Sequence, residues 1–196
     1  QDDHMSGTQN ESTTGGGRNN GGMKEGFQFV VANVQTWGPK MEEYAEYMRA
    51  HRPEVKAMLL SELHLPAGRP MEAAKKVMRA RGWTLMATPW VRGGSDQYSE
   101  QVGAGVLIRS NIARMAVNGQ QMHVGRDLAA VIVRLRKVDI LVAAIYLRSA
   151  VGLNEHNVKR LMEAATLVKG QRLPFILAGD WNNEPMELAR IGFLRM

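Results

Sequence analysis

Two apolar, β-branched runs, residues 128–135 and 138–147, are separated only by Arg136 and Lys137. A parallel pairing needs a crossover of a dozen or more residues, so these runs can pair only as antiparallel neighbours. The segments on either side read differently. On the N-terminal side, residues 27–32 and 56–61 are short β-rich runs, and the segment between them opens at Gly38-Pro39. There Met41, Tyr44, Ala45 and Met48 follow the i, i+3, i+4, i+7 spacing of a helix, with Pro39 suited to its first turn. A second helix begins at Pro70, with Met71, Ala74, Val77 and Met78 on one face and Gly82 as its stop. Further strands are predicted over 83–89, 102–110 and 112–117. After residue 147, Val158, Leu161, Met162, Ala165 and Val168 mark the inner face of a third helix, which yields through Gly170 to a strand over 173–178. The order is α/β at both ends around an antiparallel middle, which predicts a mixed sheet with helices outside.

Residues 1–26 do not join this pattern. They hold 7 of the 20 glycines, and Met5 and Met23 are their only apolar side chains. Such a segment cannot bury enough surface to offset its ordering entropy and is expected to be a disordered tail, leaving 27–196 as one domain. The tail carries Arg18 and Lys24 against Asp2, Asp3, Glu11 and Glu25, a net −2, so the overall +6 becomes +8 on residues 27–196. That excess suits an anionic partner such as nucleic acid or another phosphate compound, while ordinary surface lysines and arginines are an equal reading of charge alone. The absence of cysteine excludes disulfides, thiolate zinc sites and cysteine nucleophiles, and fits a reducing, intracellular location rather than secretion. No apolar stretch approaches the roughly 18 residues of a membrane helix, so no membrane partner is expected. Because the sequence begins with Gln1, it is expected to be a fragment.

Three strand-like runs end in polar residues: FVVA in Asn33, AMLLS in Glu62, and PFILAG in Asp180-Trp181-Asn182. Ligands of α/β sheets bind beyond the carboxyl ends of strands, so these residues can converge although far apart in sequence. A single strand-end carboxylate is more often a cap or turn residue; the combination points to chemistry. Glu62 and Asp180 are hard oxygen ligands of the kind Mg²⁺ takes, with water and substrate phosphate completing its shell. Asn33 and Asn182 are uncharged groups able to bind a phosphate oxygen or orient a water.

The strings ANVQTWGP (32–39), MLLSELHL (58–65), VGAGVLIRS (102–110), VAAIYL (142–147) and ILAGDWNNEP (176–185) resemble, in order and spacing, the endonuclease/exonuclease/phosphatase superfamily. Its members include pancreatic-type deoxyribonucleases, apurinic/apyrimidinic endonucleases, inositol polyphosphate phosphatases and the endonuclease domains of non-LTR retrotransposons. The resemblance implies an α/β sandwich of mixed, largely antiparallel sheets flanked by helices. It also implies Mg²⁺-dependent hydrolysis of a phosphate ester, with Mn²⁺ as an alternative ion and DNA as the first candidate substrate. Position by position, it makes Glu62 the metal-binding glutamate and Asn33 the asparagine that arranges metal and phosphate. Asp180 becomes the aspartate that aligns or deprotonates the attacking water near the metal, and Asn182 the residue that contacts phosphate. Tyr146 matches more loosely a tyrosine near the scissile phosphate, with a core tyrosine an equal reading. Arg126 resembles a Gly-Arg that meets substrate phosphate, although a surface arginine is the simpler reading. His64 follows Glu62 as in many relatives, and a lone histidine is more often a structural hydrogen-bonding group than a ligand.

The sequence also departs from the superfamily pattern. A late Ser-Asp-His motif is expected to supply a phosphate-contacting histidine, but no Asp-His pair occurs in 181–196. The second-half strands and helices that complete the sandwich are missing too, so a larger domain lacking its C-terminal part is expected. The remaining part of the same polypeptide would then be a partner. Ser61 stands where glutamine commonly precedes the glutamate, and Gln35 where some relatives carry an aspartate near the metal. The first departure is expected to weaken support for Glu62; the second, to favour one metal carried mainly by Glu62. Little phosphodiesterase activity and an exposed apolar sheet edge are expected of these 196 residues alone. A phosphatase for small phosphate esters and a non-catalytic nucleic-acid-binding domain are the competing readings.

Overall fold

A computed structural model describes residues 26–92, 102–115, 117, 123–125 and 127–193. Apart from Gly26, the expected disordered tail lies outside these residues. The chain runs β1 (Gln28–Asn33), α1 (Pro39–His51), β2 (Val55–Ser61), α2 (Arg69–Ala80), β3 (Trp83–Ala87), β4 (Ala104–Arg109), β5 (Arg114–Met115), β6 (His123–Gly125), β7 (Leu128–Arg134), β8 (Asp139–Tyr146), α3 (Glu155–Gln171), β9 (Phe175–Asp180) and α4 (Pro185–Arg190). One sheet has the order β1-β2-β4-β3, and the other has β5-β7-β8-β9 with β6 also on β7. Five strand pairs are antiparallel; β1 with β2 and β8 with β9 are parallel. The short link at Arg136-Lys137 does make β7 and β8 antiparallel, with Arg134 opposite Asp139.

The alternation of side chains along the strands produces four layers. One face of β2 and β4 carries Ala57, Leu59, Val106 and Ile108, which meet Ala129, Val131, Val133, Val142 and Ala144 of β7 and β8 in a layer between the two sheets. The opposite face of the first sheet, with Met58, Leu60, Leu85 and Leu107, is covered by Met41, Ala45 and Met48 of α1 and Met71, Ala74 and Met78 of α2. The outer face of the second sheet is covered by α3 and by Leu188 of α4. The result is an α/β sandwich of mixed, largely antiparallel sheets, as expected. Arg109 anchors α1 to the first sheet: its guanidinium donates to the carbonyls of Val55, Met48 and Arg52 and stacks 4.1 Å over the Trp83 ring. Among the described residues no helix is long and apolar enough to cross a membrane.

Several local expectations need correction. The strand expected over 112–117 starts only at Arg114, residue 116 lies outside the described residues, and α4 and β6 were not foreseen. The inner face of α3 is rotated. Met162 is 66% exposed, whereas Asn157, Arg160, Leu161, Ala164, Leu167 and Val168 are buried. Binary patterning failed there because Asn157 is a buried polar group with all its needs met. Its side chain donates to the carbonyls of Arg148 and Gly152 and accepts the Arg148 N–H, closing the loop between β8 and α3.

β1 and β9 are edge strands. Val30 and Ala32 pack towards the helices. Phe29 and Val31 therefore face the opposite side, where they remain 39% and 44% exposed. β9 is half-buried beyond its first residue, the exposed Phe175. Such an edge templates pairing with another chain. Self-association of the purified chain at rising concentration is expected in light scattering, and Val31→Lys should reduce it. Gly179, with φ of +154°, lets β9 lie against β8: a Cβ there would overlap the carbonyl oxygen of Ile145. Gly179→Ala is therefore expected to cost about 3 kcal/mol in urea unfolding, through displacement of β9.

Candidate active site

The two parallel pairs set where the polar residues meet. Asn33 is opposite Ser61 at the ends of β1 and β2, and Tyr146 is opposite Asp180 at the ends of β8 and β9. Side-chain parity turns Asn33 and Asp180 towards each other across the gap between the sheets. The Asn33 amide donates to Asp180 Oδ2 at 2.9 Å, and its Oδ1 accepts the Gln35 N–H at 3.0 Å. Both ends of the amide are thus assigned by chemistry: the carboxylate can only take the NH₂, and the N–H can only reach the oxygen.

Glu62 follows the last residue of β2 and is half-buried. Its carboxylate forms no hydrogen bond or ion pair with any described residue, so its lone pairs are available to a ligand. Ser61 Oγ beside it is buried and likewise makes no hydrogen bond with the described residues. The seryl hydroxyl thus gives Glu62 no support, in keeping with the departure noted in the sequence. His64 serves the loop: its ring Nδ1 lies 2.6 Å from the Gln35 carbonyl. A carbonyl only accepts, so Nδ1 carries the hydrogen, and the histidine clips the residues after β1 to those after β2.

Tyr146 is buried at 6% exposure. Burial raises its phenol above the ordinary value of 10, the Glu62 carboxylate adds to this, and Asp180 and Asp127 add less, against a lowering hydrogen bond with Ser149. Both candidate carboxylates therefore lie within electrostatic reach of the Tyr146 hydroxyl, which stays protonated and able to donate at neutral pH. Asn182 is turned to the protein, its amide donating to the Leu147 carbonyl at 2.7 Å. Arg126 lies outside the described residues.

The donor set can be tested against Mg²⁺. No group of three or more histidine, aspartate and glutamate side chains able to hold a metal occurs among the described residues. A dedicated all-protein cage is therefore not built there, whereas Mg²⁺ characteristically uses one or two carboxylates with waters and substrate phosphate. An unpartnered Glu62, with Asp180 and the Asn33 amide at the neighbouring strand ends, fits that second mode.

Backbone geometry singles out the same region. Of the seven non-glycine residues with positive φ among the described residues, five lie at these strand ends: Gln35, Glu62, His64, Asp127 and Asn182. Left-handed conformations of such residues are uncommon, and they cluster where the surrounding structure fixes a functional geometry. The sequence reading missed one of the five. Asp127 precedes a strand whose first six residues are apolar and is 1% exposed, with Oδ1 accepting the Gly103 N–H at 2.8 Å. The available signal was an acidic residue abutting a buried run; its acceptor role depends on Gly103, 24 residues away.

Burial raises the Asp127 carboxyl from 3.8 to about 6, against the lowering effects of the Gly103 N–H, the Arg160 and Arg148 charges and the Val102 N–H. A carboxyl whose folded value lies above its unfolded one is most stabilising when protonated in both states. Its contribution is complete below the unfolded value and is lost as pH rises through about 6. Urea unfolding of the native chain and Asp127→Asn between pH 4 and 7 should show the native chain losing up to about 3 kcal/mol relative to the variant as pH rises. A difference independent of pH would refute this account of the buried charge.

No protein-family model matches the sequence, and no curated protein matches it. Solved structures do match. The endonuclease domain of TRAS1, a telomere-specific non-LTR retrotransposon, is 14% identical with a TM-score of 0.54, over 87% of this chain and 70% of its own. An endonuclease/exonuclease/phosphatase family protein from Leptotrichia buccalis C-1013-b is 12% identical with a TM-score of 0.53, over 86% and 72% of the two chains. D. rerio TDP2 complexed with a single-strand DNA product is 17% identical with a TM-score of 0.53, over 85% and 64%. The likeness lies in the backbone, which carries the same sandwich at low identity: the chain has the endonuclease/exonuclease/phosphatase fold.

Proposed function

We propose that this chain supplies the metal-site portion of a metal-dependent phosphodiester hydrolase, a DNA endonuclease. The observation that carries the reading is the meeting of Asn33, Glu62, Tyr146 and Asp180 at the carboxyl ends of four strands, with the Glu62 carboxylate unpartnered among the described residues. DNA is favoured by the +8 on residues 27–196, and by similarity to an endonuclease domain and to a structure holding a single-strand DNA product.

Mg²⁺ or Mn²⁺ bound by Glu62, with Asp180 and Asn33 contributing, would supply polarisation of a phosphoryl oxygen. The side chains account for the remainder. Asp180, its Oδ2 held by Asn33, keeps its other oxygen to accept a proton from water and align it for in-line attack. Tyr146 donates a hydrogen bond to a phosphate oxygen from its buried, protonated phenol. Asn182 fixes the turn after β9 through Leu147 and keeps its second N–H for phosphate. Arg126 would add positive charge on the substrate side.

No Asp-His pair follows Asp180 in this sequence, so the expected turnover of the isolated chain is slow and the informative quantity is a difference between variants. Supercoiled plasmid incubated with the chain at high concentration in Mg²⁺ should be nicked, and chelation should stop it. Glu62→Ala and Asp180→Asn should each slow nicking by about 100-fold or more. Release of phosphate from a soluble inositol phosphate without nicking would place the substrate among small phosphate esters. Salt-sensitive DNA binding, indifferent to Glu62→Ala and without turnover, would make the domain a binding module.

A further inference from the structure

The hydrogen bonds around Asp127 form a connected path that the proposed hydrolase chemistry does not itself use. Its Oδ1 accepts the Gly103 N–H at 2.8 Å. The carbonyl of the same Val102–Gly103 peptide unit accepts the His64 N–H at 2.8 Å, and the Gly103 carbonyl accepts the Leu63 N–H at 3.2 Å. These are the two residues that follow Glu62. In the other direction, the Asp127 carbonyl accepts the Tyr146 N–H at 2.9 Å, and the Leu147 N–H is held by the Asp180 carbonyl at 2.9 Å. Glu62 is reached from the first sheet and Tyr146 from the second, and Asp127 is the residue joined to both.

Gly103 is tailored to the path. Its φ is +92°, and a Cβ would sit 3.0 Å from the Thr88 carbonyl and 3.5 Å from Leu63 Cβ, so a larger residue there would be strained and would crowd Thr88. A peptide group whose N–H faces a carboxylate is polarised, and the bond made by its carbonyl strengthens accordingly. Thr88 closes the far side, with Oγ1 accepting the Ala104 N–H at 2.8 Å.

We propose that Asp127 is a positioning residue for the phosphodiester hydrolysis inferred above, holding the backbone of Glu62 and the backbone of Tyr146 at one fixed separation across the sandwich. It touches neither substrate nor metal. Its carboxylate orders the Val102–Gly103 peptide, which orders residues 63 and 64 and so the left-handed turn from which Glu62 projects, while its carbonyl sets the end of β8. The inference rests on the hydrolase reading for its catalytic half only, because the coupling of the two strand ends is a property of the fold.

The test uses the full 196-residue chain and two readouts. In proton–nitrogen correlation spectra, Asp127→Asn is expected to move the amide resonances of Gly103, Leu63, His64 and Glu62, although all four adjoin strands of the first sheet and the substitution adjoins the second; shifts confined to residues next to 127 would overturn the proposal. In hydrolysis of the base-free diester bis(p-nitrophenyl) phosphate with Mn²⁺, Asp127→Asn should lower kcat about 10-fold and Asp127→Ala about 100-fold, with KM within about twofold. Met78→Ala, which opens a cavity under α2 away from the strand ends, should lower the unfolding midpoint yet leave kcat unchanged. Equal loss of kcat in Met78→Ala, or native kcat in both Asp127 variants, would reduce Asp127 to a general stabiliser and overturn the proposal. If Asp127→Ala does not fold, the asparagine variant decides alone. Absence of turnover in the native chain would count against the hydrolase reading, and the amide shifts would then decide the coupling by themselves.

Discussion

The layer of small aliphatic side chains between the two sheets is the constraint on which everything else depends. Ala57, Leu59, Val106 and Ile108 on one side and Ala129, Val131, Val142 and Ala144 on the other are nearly all excluded from water. Alanine and valine dominate it, and such short, stiff side chains, close-packed, leave the layer little room for rearrangement. Burial of this apolar surface at about 25 cal/mol per Å² is non-directional, and it decides only that the sheets face each other. The directional interactions at the strand ends decide how they face.

Those interactions are few and polar. Asn33 reaches Asp180 from one edge of the gap, and Asp127 reaches Gly103 further along the same end. Each joins one sheet to the other, Asn33 at a partly exposed carboxylate and Asp127 through a buried one. The concentration of positive φ values at Gln35, Glu62, His64, Asp127 and Asn182 follows from this. The chain must turn sharply as it leaves each strand if its first polar side chain is to point back over the sandwich, and residues with side chains are held in left-handed conformations to do so. A left-handed non-glycine residue costs of order 1 kcal/mol, which persists only where neighbouring bonds over-determine it. The clip between His64 and Gln35 and the amide of Asn182 on Leu147 are bonds of that kind.

Much of this arrangement was legible before the structure. β1, β2 and β9 were readable as apolar runs leading into Asn33, Glu62 and Asp180, because the polar residue stands where each run's packing against the sandwich stops. The antiparallel pairing of β7 and β8 was forced by a two-residue link. The inner face of α3 was misread because Asn157 and Arg160 are buried polar residues, and patterning assigns polar residues outward. Asp127 was passed over for a related reason: its carboxylate is buried, and its partners come from strand ends remote in sequence. The helix at Pro185 was hidden by its six-residue length, too short to show a periodic face.

The sequence by itself determined that apolar runs lead into Asn33, Glu62 and Asp180, that β7 and β8 must be antiparallel, and that the polar groups at those run ends are of the kinds that metals and phosphates accept. These properties are local, set by apolar period, by link length and by side-chain functional groups. Only the tertiary structure decided that Asn33 meets Asp180, that Glu62 is left without a partner among the described residues, and that Asp127 stands between Glu62 and Tyr146. Those facts depend on stacking two sheets face to face, and the apolar layer that stacks them has no local signature specifying which polar ends it will bring together.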